Sequence, residues 1–125
     1  MTPSGFHHVA IQVRDLAAAE RFYSGALGLP ILRRWFHEDG SPRSVWVKVG
    51  EGFIALEACA GEPDPGPFRD GRAGIHLAAL RIERGDRAAW EARFGAAIVH
   101  RTKYTLYVRD PEGNRIGLSH YPAGA

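Results

Sequence analysis

The sequence predicts an α+β fold in which two tandem βαβββ modules make up one domain of 125 residues. Three features point there. Residues 104–120 read as a β-hairpin: 105–109 and 116–119 carry β-branched, aromatic and alternating apolar residues, and Asp110, Pro111, Gly113 and Asn114 supply turn chemistry between them. The order strand, helix, strand, strand, strand fills the first sixty residues and restarts after residue 72. Residues 61–72 (GEPDPGPFRDGR) are the one stretch rich in proline, glycine and charge together, which suits a linker. The modules then span about 5–60 and about 73–122.

In chain order, residues 6–14 alternate, with Val9, Ile11 and Val13 on one side and His8, Ala10 and Gln12 on the other. Asp15 is a good N-cap for a helix over 16–27. Its stripe of Leu16, Ala19, Phe22, Tyr23, Ala26 and Leu27 needs a sheet beneath it, and Gly28 ends it. Residues 30–37 make a strand, 38–43 a turn, 44–49 a strand with three valines on one face, and 50–52 a tight hairpin into 53–58. In the second module, 75–83 is a strand that begins with His76. Asp86 then caps a helix over 87–94, Gly95 stops it, and 97–101 leads into the closing hairpin. There a period of two sorts Leu106, Val108, Ile116 and Leu118 to one face. Thr105, Tyr107, Arg109, Arg115, Gly117 and Ser119 take the other. An apolar back and a mixed polar front suit a sheet that curves around a pocket, with helices on the outer face.

Composition narrows the function. A 45% apolar and 24% charged chain is ordinary for a soluble globular domain. The single cysteine, Cys59, excludes an internal disulfide framework and a cysteine-based zinc finger, and no base stands beside it in the sequence. A net charge of +2 and a pI near 9.0 invite a nucleic-acid reading. The basic residues, almost all arginine, are nevertheless scattered among Asp and Glu rather than gathered on one element, which argues against it. No basic leader followed by an apolar run and no membrane-length apolar stretch is present, so the expectation is a cytoplasmic protein without a membrane partner.

The opening run His-Val-Ala-Ile-Gln-Val-Arg-Asp-Leu at 8–16 and the closing Leu-Tyr-Val-Arg-Asp-Pro-Glu-Gly-Asn-Arg-Ile at 106–116, on two βαβββ modules, resemble the vicinal oxygen chelate superfamily. That group includes glyoxalase I, extradiol dioxygenases, fosfomycin-resistance thiol transferases and bleomycin-resistance proteins. The resemblance implies a half-barrel around a divalent metal, held by residues on the first strand of each module and a carboxylate on a last strand. His8 matches the first-strand ligand and His76 its second-module counterpart. Neutral imidazoles suit Zn, Fe, Mn or Ni, and open coordination positions would let the ion polarise adjacent substrate oxygens. The relatives also imply a homodimer.

The chain departs from the family at the carboxylate. Where relatives carry Glu on the last strand, this sequence has Gly117, and the matching position of the first module is Ala55. Three substitutes are open: Glu57, on the face of Ala55 but about 6.6 Å along the strand; His120, on the face opposite to Gly117; and a water or substrate carboxylate beside Gly117. Tyr107 stands where thiol-transferase relatives present a tyrosine, either as a donor to substrate oxygen or as a cross-strand aromatic. Trp46, Lys48 and Phe53 can line the pocket, with Lys48 facing an anionic ligand or Glu57. Arg115, like Arg109, is either a substrate contact or half of a rim ion pair. His7 reads as structural, and His37 and His100 have no identifiable partner. The leading expectation is a metal-dependent lyase, transferase or dioxygenase acting on a small molecule, with His8, His76 and Glu57 as ligands. Glu57 would double as general base and Tyr107 as donor. The alternative is a metal-free sequestering protein of the bleomycin-resistance kind, holding a planar or anionic molecule in the same groove.

Overall fold

The computed structural model describes residues 1–67 and 71–124. The fold is α+β, and the chain divides into two compact units, Met1–Pro63 and Asp64–Ala125. Residues 68–70, within the expected linker, lie outside the described residues.

The first unit runs β1 (His8–Val13), α1 (Leu16–Glu20), a π-helical continuation Arg21–Ala26, β2 (Ile31–Phe36), β3 (Pro42–Val49) and β4 (Gly52–Ala58). Its sheet has the order β1-β4-β3-β2, with β1 parallel to β4 and the other pairs antiparallel. The Asp15 carboxylate accepts from the Ala18 N–H at 3.0 Å and so caps α1. The helical stripe then reaches the apolar sheet face: Ala19, Tyr23 and Leu27 are buried, as are Val13, Val45, Val47, Ile54 and Leu56. Gly28, at φ 74°, takes the left-handed turn that ends the helix.

The second unit runs β5 (Ala78–Arg81), a 3₁₀ turn Arg84–Asp86, α2 (Arg87–Phe94), a 3₁₀ turn Gly95–Ala97, β6 (His100–Arg101), β7 (Thr105–Arg109) and β8 (Arg115–Ser119). Its sheet, β5-β8-β7-β6, repeats the first topology, with β5 parallel to β8. Ile82, Ile98, Leu106, Val108, Ile116 and Leu118 are buried, as the hairpin pattern requires. The turn between β7 and β8 is built on Asp110. Its carboxylate accepts from the backbone of Glu112 (2.9 Å) and Asn114 (2.8 Å) and from the Asn114 amide (2.9 Å).

Four elements differ from the sequence reading: the helix expected over 16–27 is α-helical only to Glu20 and π-helical beyond it, and the strand expected over 97–101 shrinks to His100–Arg101 behind a 3₁₀ turn. The strand expected over 75–83 is the shorter Ala78–Arg81, so His76 precedes it. The helix cap expected at Asp86 is replaced by the 3₁₀ turn: the Asp86 N–H donates to the Glu83 carbonyl at 3.0 Å, so its backbone is already helical and its carboxylate caps nothing.

Candidate functional site

Pairing in the first sheet decides which side chains share its open face. His8 stands opposite Phe53, Phe53 opposite Lys48, Ala55 opposite both Ala10 and Trp46, and Glu57 opposite Gln12 and Ser44. On the outer edge Arg33 pairs with Trp46 and Trp35 with Ser44. Each strand thereby contributes one ring to a row that crosses the sheet. The His8 and Phe53 rings stack at 4.8 Å and 8°, Phe53 and Trp46 at 4.5 Å and 25°, and Trp46 meets Trp35 at 5.3 Å and 59°. These are the offset geometries that favour aromatic contact. The Arg33 guanidinium lies 3.8 Å over the Trp35 ring and Arg43 at 5.6 Å, a cationic cover at that end. At the other end His7 meets Phe53 edge-on at 5.6 Å, and its Nδ1 shares a 2.9 Å hydrogen bond with Nδ1 of His8.

The second unit's open face is different in kind. Tyr107 pairs with Gly117 and with His100, whose ring lies 5.6 Å away. The Thr105 and Ser119 hydroxyls bond at 2.9 Å. A Cβ on Gly117 would meet the Thr105 methyl at 3.3 Å and Ala79 and the Tyr107 ring at 3.4 Å, so neighbours already crowd that place. At the hairpin end, Arg109 donates to the Gly113 and Gly66 carbonyls, both at 2.9 Å. Arg115 donates to the Pro67 carbonyl and, at 3.2 Å, to Nδ1 of His76. A cavity of about 460 Å³ lies here, lined by Asp64, Arg72, His76, Asn114 and Arg115 among others.

The structure thus gathers His8, Phe53 and Trp46, with Lys48 opposite Phe53, and separately gathers His76 with Arg115. It does not bring Glu57 to His8. Glu57 lies four positions along β4 from Phe53, the partner of His8, a separation of about 13 Å at the usual strand rise. The same offset separates Glu57 from Lys48, so those two are not neighbours. His120 is buried on the core side. Its Nε2 faces Arg87 at 3.0 Å and its Nδ1 the Ala123 carbonyl at 2.9 Å.

The donor set expected for a divalent ion therefore does not fit. Ala55 and Gly117 offer no donor, Glu57 is out of reach of His8, and the Nδ1 lone pair of His76 already accepts from a guanidinium. Among the described residues no three His, Cys, Asp or Glu side chains are grouped to hold a metal. Sequence reasoning missed Trp35, Arg33 and His7 in the row. Alternation over 31–36 carries the first two on one side, but irregular pairing between Ile31 and Arg33 hides their phase relative to β3.

No curated protein matches this chain. Solved structures do. It is similar to a lactoylglutathione lyase from Agrobacterium tumefaciens at 25% identity and TM-score 0.67, covering 97% of this chain and 96% of that one. A glyoxalase/dioxygenase from Nostoc punctiforme shares 24% identity at TM-score 0.76, over 95% and 92% of the two chains. The fosfomycin resistance protein FosX from Listeria monocytogenes, solved with Mn(II) and a sulfate ion, shares 14% identity at TM-score 0.73, over 98% and 96%. The last two likenesses are of fold alone. A family model described as Glyoxalase/Bleomycin resistance protein/Dioxygenase superfamily matches residues 5–118.

Proposed function

This chain belongs to the Glyoxalase/Bleomycin resistance protein/Dioxygenase superfamily, and within it we propose that the chain is a metal-free small-molecule binding protein whose first unit holds a planar anion against a row of aromatic rings. The observation that carries this is the row His8, Phe53, Trp46 and Trp35, one ring per strand. The His8, Phe53 and Trp46 rings stand face to face across neighbouring strands, so the row presents a wall of ring edges against which a flat ligand gains dispersion contact at little entropic cost. Arg33, Arg43 and Lys48 flank that surface, and on the paired positions of this face Glu57 is the one carboxylate, so an acidic group on the ligand is favoured.

Pyrenesulfonate, a planar aromatic anion, tests this by fluorescence titration. Trp46→Ala is expected to weaken binding by roughly 10–100-fold, through loss of the large ring at the middle of the row and of the apolar area it offers. Lys48→Glu should weaken it several-fold, more at low salt than at high. Trp90→Ala, on α2, should change nothing. Undiminished binding by the folded Trp46 variant sinks the proposal.

A second reading, a metal-dependent enzyme of the glyoxalase, thiol-transferase or dioxygenase kind, draws on His8 standing at the start of β1 on the open face. In that case His8→Ala removes bound metal and activity together. In the binding reading the same substitution takes one ring from the row's end and leaves most of the pyrenesulfonate affinity.

A further inference from the structure

We infer that the second unit's counterpart of His8 is Leu77, and that His76, one position out of phase, engages Arg115 instead of a divalent ion. The reasoning is one of register. In the first unit Ala10 pairs with Ala55, which on its other side pairs with Trp46. In the second unit Ala79 pairs with Gly117, which on its other side pairs with Tyr107. Ala55 lies between buried Ile54 and Leu56, and Gly117 between buried Ile116 and Leu118. Ala55 and Gly117 thus hold one place in the repeat, and Ala10 and Ala79 another. Counting back two residues sets Leu77 on His8, and counting forward three sets Ile82 on Val13.

Burial agrees with this alignment. Val13 and Ile82 are both buried, and Ala10 and Ala79 are both exposed. Setting His76 on His8 would place Ile11 and Val13, which turn toward the core, on Ala79 and Arg81, which are exposed. A slip of one residue exchanges the two faces of a strand, so both alignments cannot hold. The duplicated scaffold then offers a single imidazole at its first-strand ligand position and no carboxylate at either last-strand position.

The surroundings of His76 point the same way. Arg115 donates to its Nδ1 at 3.2 Å and approaches its carbonyl at 3.4 Å, which sets a fixed positive charge where a cation would have to sit. The inference depends on strand register and not on the aromatic row, so either can fail without the other.

Mn(II) titration of the wild-type protein, read through paramagnetic broadening of the histidine ring signals, is the first arm of the test. Broadening of His76 no greater than that of exposed His37 and His100 is expected. Selective broadening of His76 overturns the inference. The second arm is Zn(II) calorimetry on variants whose fold is checked by circular dichroism. Gly117→Glu alone should gain no affinity, whereas Leu77→His combined with Gly117→Glu should gain about tenfold or more. A gain from Gly117→Glu alone that His76→Ala removes overturns it, as does a folded double variant that gains nothing. Should the double variant not fold, the wild-type broadening decides.

Discussion

Gly113 and Gly52 show how single positions hold this fold to glycine for different reasons. At Gly113 the backbone has φ 90°, and a Cβ there would overlap the Pro65 ring. Gly113→Ala is therefore strained twice over and should lower stability by roughly 1–3 kcal/mol, seen as an earlier urea midpoint. At Gly52 the backbone is ordinary, but a Cβ would come within 2.7 Å of the His7 carbonyl oxygen, which accepts from the Phe53 N–H at 3.3 Å. Backbone cannot swing aside as a side-chain tip can, so Gly52→Ala should disturb the start of β4 and with it the seat of Phe53. Gly117 is a third case, where a Cβ would meet the Thr105 methyl at 3.3 Å and Ala79 and the Tyr107 ring at 3.4 Å, close contacts with side chains rather than an overlap with backbone.

Among the elements, α2 is tied to the chain on both sides of the closing hairpin through Arg87. Its guanidinium donates to the Thr102 carbonyl at 2.9 Å, the Lys103 carbonyl at 3.0 Å and Nε2 of His120 at 3.0 Å, while Nε meets Glu91 at 3.1 Å. The partners assign the proton of His120 to Nδ1, which donates to the Ala123 carbonyl. Arg87→Ala strips a charged donor from several acceptors and should cost about 1.5–3 kcal/mol by urea denaturation, and His120→Ala about 1–3 kcal/mol. Because both remove the same contact, the double variant should cost less than the sum of the single ones, by about 0.5 kcal/mol or more. Strict additivity would mean the two side chains do not support one another. The expected helix cap at Asp86 failed at this scale too: a capping residue needs extended backbone, and the 3₁₀ turn before α2 had already taken that residue into the helical region.

For the whole molecule, one βαβββ plan is used twice with unlike open faces: a band of rings in the first unit, and small and hydroxyl side chains with paired arginines at the hairpin end in the second. The plan was legible in the chain. Alternation over 8–13, 44–49 and 105–119 separates core from face, and Asp15, Gly28, Asp110 and Gly113 mark the ends, because these signals live in a residue and its nearest neighbours along the chain. His76 was not legible in the same way. The run Leu-Ala-Ala-Leu-Arg at 77–81 has too little contrast to declare its phase, and only pairing of Ala79 with Gly117 declares it. The row of four rings has the same origin, since Trp35, Trp46, Phe53 and His8 come from strands far apart in sequence. The sequence by itself determined the order of the main strands and helices and, where alternation is strong, which of their faces is apolar, for that follows from local periodicity and turn chemistry. The tertiary structure alone decided which side chains meet, because register belongs to a pair of strands and neither strand carries it alone.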